Sequence, residues 1–199
     1  MNAAVFCREL AVRLNKEPNA ILIFDRTLAE AGFRRKARGR HAPDLSTEEA
    51  VLLLLAFMSG HPATEAHNAA SDLARFKMVP GAGEQPMAAF HHTFGLDSNL
   101  GELSKKPLLD LLTILCTRMA SDALGRDNFV YLEVTDGAIV ELQFDMNWQP
   151  SDRTKRLALR GEVSFSGATN SSGNGFHYVT HTATPALLKW IGEVTAANG

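Results

Sequence analysis

Nine consecutive apolar residues, Ala50 to Met58, constrain this chain more than any other feature. A helix that is apolar around its whole circumference has to be buried on every side. The run is far too short to cross a bilayer, so other parts of the chain must surround it. Just ahead of it stands Ser46-Thr47-Glu48-Glu49. This is the pattern of a capping box, in which the Ser46 hydroxyl takes the amide of Glu49 and the Glu49 carboxylate reaches back to the amide of Ser46. With 199 residues, 45% apolar and 21% charged, the chain has the size and composition of an ordinary globular protein.

The approach to this helix has the opposite character. Arg34, Arg35, Lys36, Arg38 and Arg40 fall within seven residues, with Gly39 among them. Such a run is expected to form an exposed loop, because unpaired charge does not bury. The net charge of −2 conceals an asymmetry. Residues 1–41 hold nine Lys/Arg against four Asp/Glu, a balance of +5, while the remainder carries −7. One surface facing a polyanion is implied, and general affinity for nucleic acid is not.

Along the chain, Ala3 to Leu14 reads as a helix with Val5, Phe6, Leu10 and Leu14 on one side. Asn15 to Asn19 is a break in which Pro18 and Asn19 suit the opening of the next helix, which runs to about Ala31 before Gly32 ends it. Two short helices, a tight turn and a basic loop fit a helix-turn-helix with the second helix in the recognition position. After the central helix, Ala63 to Lys77 offers Ala66, Ala70, Leu73 and Phe76 as an apolar stripe, and Met78 to Gln85 reads as a loop. Pro86 to Leu103 has no clear period and is expected to hold a short helix or strand; Leu108 to about Leu124 is again helical, its polar face marked by Asp110, Thr113, Thr117 and Ser121.

At Gly125 the pattern changes. Phe129–Val134 and Ala138–Phe144 read as strands joined by Asp136-Gly137, a hairpin signal. A basic loop with Arg153, Lys155, Arg156 and Arg160 leads into a third strand over about Leu157–Phe165, its cations suited to protecting a sheet edge. Ala168 to Gly175 reads as a loop, Phe176–Thr182 as a fourth strand, and Thr184-Pro185 opens a last helix to about Thr195. The fold class is therefore α+β: a helical domain over 1–124 with a helix-turn-helix-like N-terminus, then a small meandering antiparallel sheet with a covering helix over 125–199.

Patterns for chemistry are missing. Cys7 and Cys116 have no metal spacing and imply no disulfide framework. His177 and His181 share a strand face but lie about 13 Å apart by strand geometry. The glycine-rich stretch from Ala168 has neither the lysine nor the strand–loop–helix setting of a phosphate-binding loop. The expectation is a protein that is not an enzyme, with no metal, no cofactor, no signal segment and no membrane span, in a reducing cytoplasm.

The block Asp25-Arg26-Thr27-Leu28-Ala29-Glu30-Ala31-Gly32-Phe33, with Gly39-Arg40-His41-Ala42-Pro43-Asp44-Leu45-Ser46 and the run Ala50–Ala56, resembles uncharacterised phage and prophage proteins of alphaproteobacteria with a helix-turn-helix-like N-terminal region. The resemblance spans roughly residues 8–77. Lys36 departs from it, standing where a glycine is common. So do the four apolar residues Ile21–Phe24, which occupy places where polar base-reading side chains would be expected.

Together these readings imply a phage-derived regulator that binds double-stranded DNA by occupancy, its C-terminal unit serving dimerisation or partner binding. Arg34, Arg35, Lys36, Arg38 and Arg40 would grip phosphates, Asn19 would reach adenine, and Arg26 would reach a phosphate. Blander roles stand beside these. The loop cations answer carboxylates such as Asp44, Glu48 and Glu49, Asn19 caps its helix, and Arg26 pairs with Glu30. The alternative function is a protein-interaction module, such as a phage-encoded inhibitor of a host protein. Its Ile21–Phe24 run would dock the partner, and its loop would meet an acidic protein surface.

Overall fold

A computed structural model describes residues 1–36, 43–79, 105–121, 128–135, 139–148, 157–166 and 180–196. The central apolar run forms α3 (Thr47–Met58), with both hydrogen bonds of the capping box made. Every residue from Glu49 to Met58 is buried apart from the half-buried Phe57. Around it stand α1 (Ala3–Arg13), α2 (Pro18–Glu30), α4 (Ala66–Ala74), α5 (Leu108–Ala120) and α6 (Pro185–Ala196). Helices α2, α4, α5 and α6 all touch α3. Pro18 occupies the first turn of α2, and Gly32 ends the helix at φ +82°, a left-handed conformation that suits glycine. There the Gly32 amide donates to Ala29 O at 3.3 Å and the Phe33 amide to Leu28 O at 3.0 Å. These paired bonds satisfy carbonyls that a helix end would otherwise leave open.

The sheet is antiparallel throughout, in the order β1-β4-β3-β2-β5. Its strands are β1 (Lys77–Met78), β2 (Asn128–Thr135), β3 (Ile139–Trp148), β4 (Leu157–Ser166) and β5 (Thr180–Ala183). The expected β2–β3 hairpin closes with Thr135 opposite Ile139. Val130, Leu132, Val134, Val140, Leu142 and Ala183 are buried, whereas Tyr131, Glu133, Glu141 and Gln143 are half-buried, so the period-two alternation separates a core face from an outer one. On the outer face Gln143 Nε2 donates to Glu133 at 3.0 Å.

Two expectations change. The helix before residue 77 stops at Ala74, and Lys77–Met78 is strand rather than helix end and loop, because it pairs with Ser166 and Phe165 at the edge of the sheet. Backbone pairing from a segment distant in sequence overrides the local pattern there. The last helix, expected to cover the sheet, also packs on α5 and α3. Trp190 stacks on Phe6 with centroids 5.0 Å apart, Arg13 lies 4.4 Å over the Trp190 ring, and Thr195 shares a 2.8 Å hydrogen bond with Thr47. One buried cluster therefore runs from Phe6 through Leu54 and Leu115 to Leu132 and Ile191, across residue 124.

The α5 side chains Asp110, Thr117 and Ser121 are exposed and Thr113 is half-buried, as the polar period requires. Pro86–Leu103, the Asp136-Gly137 turn, Arg153, Lys155, Arg156, the Ala168–Gly175 stretch and residues 80–85 and 176–179 lie outside the described residues, while Arg160 takes a β4 position opposite Asp145. No helix among the described residues is long and apolar enough to cross a membrane.

A close backbone approach between two helices gives a direct check. A Cβ on Gly192 of α6 would overlap the carbonyl group of Cys116 in α5 and come within 2.9 Å of the Ala120 Cβ. Gly192→Ala therefore forces α6 away from α5, at a cost of about 2 kcal/mol or more from overpacking. Thermal denaturation should show a clearly lowered midpoint, and an unchanged midpoint would contradict this packing.

Candidate nucleic-acid interface

The exposed row of α2 comes from its period. Ile21, Asp25, Leu28 and Ala29 face inward, which leaves Asn19, Ile23, Arg26 and Glu30 outward. Chain reversal at Gly32 then brings Arg34 and Lys36 back against this row. Asn19, Ile23, Arg26, Glu30, Arg34 and Lys36 line a groove of about 820 Å³, with Leu22, Asp25 and Ala29 completing it. Four of the seven side chains expected at a nucleic-acid surface are thus brought together. Asn19 is not the helix cap, since Glu17 holds that position and Asn19 lies exposed one residue after Pro18. Arg26 is exposed and pairs with no carboxylate among the described residues. Arg38 and Arg40 lie outside the described residues.

The other two cations do something different. Arg34, expected on an exposed loop, has a side chain only 9% exposed. Its guanidinium meets Asp25 through two nitrogens, Nε to Oδ1 at 2.6 Å and Nη2 to Oδ2 at 2.9 Å. Nη1 donates to Arg35 O at 2.9 Å. Of the two contacts with Asp25, only that of Nη2 is a hydrogen bond; Nε and Oδ1 are close but misaligned for one. The burial of the pair leaves little of the guanidinium for an outside anion.

Arg35 turns the other way, toward α3. Its Nε and Nη2 donate to Glu49 at 3.1 and 3.0 Å, and its backbone amide does so at 2.9 Å. Nη2 also donates to Asp44 O at 2.8 Å, so one guanidinium joins the two ends of the segment between residues 35 and 44. Arg35 is thus satisfied by carboxylate and carbonyl, as the blander reading had it, through Glu49 and the Asp44 backbone. The segment meets itself at a closed neck, and the neck is fixed to the start of the central helix. The far side is held as well: Asn2 bridges to Asp44, and the Leu45 amide donates to Met1 O at 3.1 Å.

Glu49 is among the carboxylates the sequence offers to the loop cations, whereas Asp25, nine positions before the arginine it binds, is not. A signal for Asp25 exists: it interrupts the inward row Ile21, Asp25, Leu28, where a carboxylate needs a cation. Lys36 is exposed and unpaired among the described residues, whereas Arg35, its side chain 61% exposed, has Nε and Nη2 committed to Glu49 and Asp44 O.

The two carboxylates differ electrostatically. Burial raises the pKa of Glu49, but hydrogen bonds from the Arg35 side chain, from the amides of Arg35 and Ser46, and the Arg35 charge outweigh it, bringing it to about 2. Burial also raises Asp25, and here it wins over the charge and hydrogen bond of Arg34, with Glu49 adding to the rise. Cys7, close to this cluster, is pushed to about 12 by burial and then by Asp25, and burial alone pushes Cys116 equally far. Neither thiol is a nucleophile near neutral pH. His181 packs edge-on against Phe57 at 5.9 Å. Among the described residues no three His, Cys, Asp or Glu side chains are placed to hold a metal ion.

No protein-family model matches the chain, and neither a curated protein nor a solved structure matches it.

The depressed pKa of Glu49 fixes the sign of a pH effect. A carboxylate whose folded value lies below its unfolded value stabilises fully above the unfolded value, 4.5, and loses that contribution as pH falls through the folded value, about 2. The melting-temperature gap between wild type and Glu49→Gln should therefore be wide and level from pH 7 to about pH 5, then narrow toward about pH 2.5. A gap that does not change with pH would contradict the hydrogen-bonded, ionised Glu49.

Proposed function

We propose that the protein binds double-stranded DNA and acts by occupancy, without chemistry or cofactor, as a regulator of the phage-derived type that its N-terminal half resembles. Lys36, Arg38 and Arg40 meet phosphates, and Asn19 and Arg26 approach from the outward row of α2. The observation that supports this reading is the groove in which Asn19, Arg26 and Lys36 share one face, next to the contact that joins Arg35 to Asp44. Arg34 and Arg35 are withdrawn from the phosphate-binding set, since their guanidinium groups are engaged by Asp25 and Glu49. Dimerisation or partner binding stays with the C-terminal sheet and helix, and the protein works in the cytoplasm.

A second reading has an observation of its own. Ile23 is 52% exposed in the middle of the same groove, beside Leu22. An isoleucine there can meet a thymine methyl, but it suits the apolar centre of a protein contact equally well. In that case the protein is an interaction module, such as an inhibitor of a host protein, and the loop meets an acidic protein surface.

Binding to a mixed-sequence duplex across a salt series separates the two. Wild type should bind with a steep log–log slope. The Lys36→Ala, Arg38→Ala, Arg40→Ala triple variant should flatten that slope by up to about 0.9 for each phosphate it no longer neutralises. The triple variant should melt like wild type. Wild type that fails to bind duplex, or a triple variant with unaltered affinity and slope, would favour the interaction module.

A further inference from the structure

Arg34 and Arg35 are neighbours in sequence, yet they reach in different directions. Arg34 holds Asp25 in α2 by a buried ion pair with one hydrogen bond, and Arg35 forks onto Glu49 in α3. The chain between Gly32 and Lys36 is thereby pinned to two helices at once. A buried ion pair is not by itself a gain in stability, because removing both charges from water offsets much of their attraction. What such a pair supplies is direction: a guanidinium held on a buried carboxylate, with Nη1 bonded to Arg35 O, limits where the backbone carrying it can go. Asp25 is also the acidic side chain least expected at this place. It borders a groove assigned to a polyanion, and any carboxylate there repels phosphate unless something cancels it.

We propose that Asp25 is a positioning residue for DNA binding: through Arg34 it holds the start of the basic segment so that Lys36 faces the same side as Asn19 and Arg26. This rests on the DNA reading above. It carries an unusual sign. Removing one negative charge from a protein that binds a polyanion ordinarily strengthens binding, and Glu30, exposed on the same groove, should behave in that ordinary way. Asp25 should do the reverse. Neutralising it adds the same unit of net charge as Glu30→Gln and unmasks Arg34, but it also releases the segment, and the lost placement of Lys36 outweighs that gain.

The test compares Asp25→Asn and Glu30→Gln in the full-length chain, with hydrogen exchange of the amides from Phe33 to Lys36 and binding to a mixed-sequence duplex across a salt series. Asp25→Asn should speed exchange at these amides while the amides of α3 stay protected. Duplex affinity should fall by about tenfold, and the salt slope should flatten by about 0.9, the value of one phosphate. Glu30→Gln should raise affinity and leave exchange unchanged. Loss of folded protein alone would lower apparent affinity with the slope kept, so the flattened slope marks positioning. Unchanged exchange in Asp25→Asn would overturn the latch. Faster exchange with equal or higher affinity would overturn the positioning role while leaving the DNA reading in place. Wild type that binds no duplex would overturn the DNA reading and the positioning claim with it, even if exchange shows the latch to be real.

Discussion

The Glu49 carboxylate is the interaction on which this arrangement depends. It accepts from the Ser46 amide, from the Arg35 amide and from two nitrogens of the Arg35 guanidinium, at distances between 2.9 and 3.1 Å. One side chain therefore starts the most buried helix of the chain and holds the neck of its most basic segment. The two tasks cannot be separated. The capping box needs Glu49 at the third position of α3, and the orphan amides of a helix start favour a negative charge there. Once the carboxylate sits at that end, a guanidinium arriving from the preceding segment completes it. Charge that sequence alone would offer outward is in part consumed at the root of the helix.

Much of the fold can be read from the residues because local and global preferences agree. The Ala50–Met58 run, the Ser46 box, Pro18 at the first turn of α2 and Gly32 at its end each have a local physical cause, and each takes its expected place. The alternation of β2 and β3 and the polar row of α5 are of the same kind. What cannot be read depends on contacts distant in sequence. Lys77–Met78 has no strand signature; it becomes a strand because β4 presents an edge to it. Trp190 stacking on Phe6 and the close passage of Gly192 over Cys116 make the last helix part of the helical core, and no local pattern announces a partner so far away.

The candidate site divides along the same line. Asn19 and Arg26 face outward as the helical period of α2 requires, and Lys36 joins them in one groove. Arg34 and Arg35 are indistinguishable from Lys36 in sequence, because a run of cations carries no information about which of them meets a carboxylate from another helix. Burial decides it. Asp25, held inward by the period of α2, cannot remain charged beside Ile21 and Leu28 without a counter-ion, and Arg34 is within reach.

The central claim, that the first arginines of the run are internal anchors, is tested most directly by a double-mutant cycle on Arg35 and Glu49. Urea unfolding of Arg35→Ala, Glu49→Ala and the double variant at neutral pH isolates their interaction, since the capping loss from Glu49→Ala is present in both legs that contain it. Arg35 keeps much of its surface in water, so the coupling expected for its forked, charge-assisted hydrogen bonds is about 1 kcal/mol. Effects that add to within about 0.3 kcal/mol would contradict the account and return Arg35 to the set of cations available to a partner.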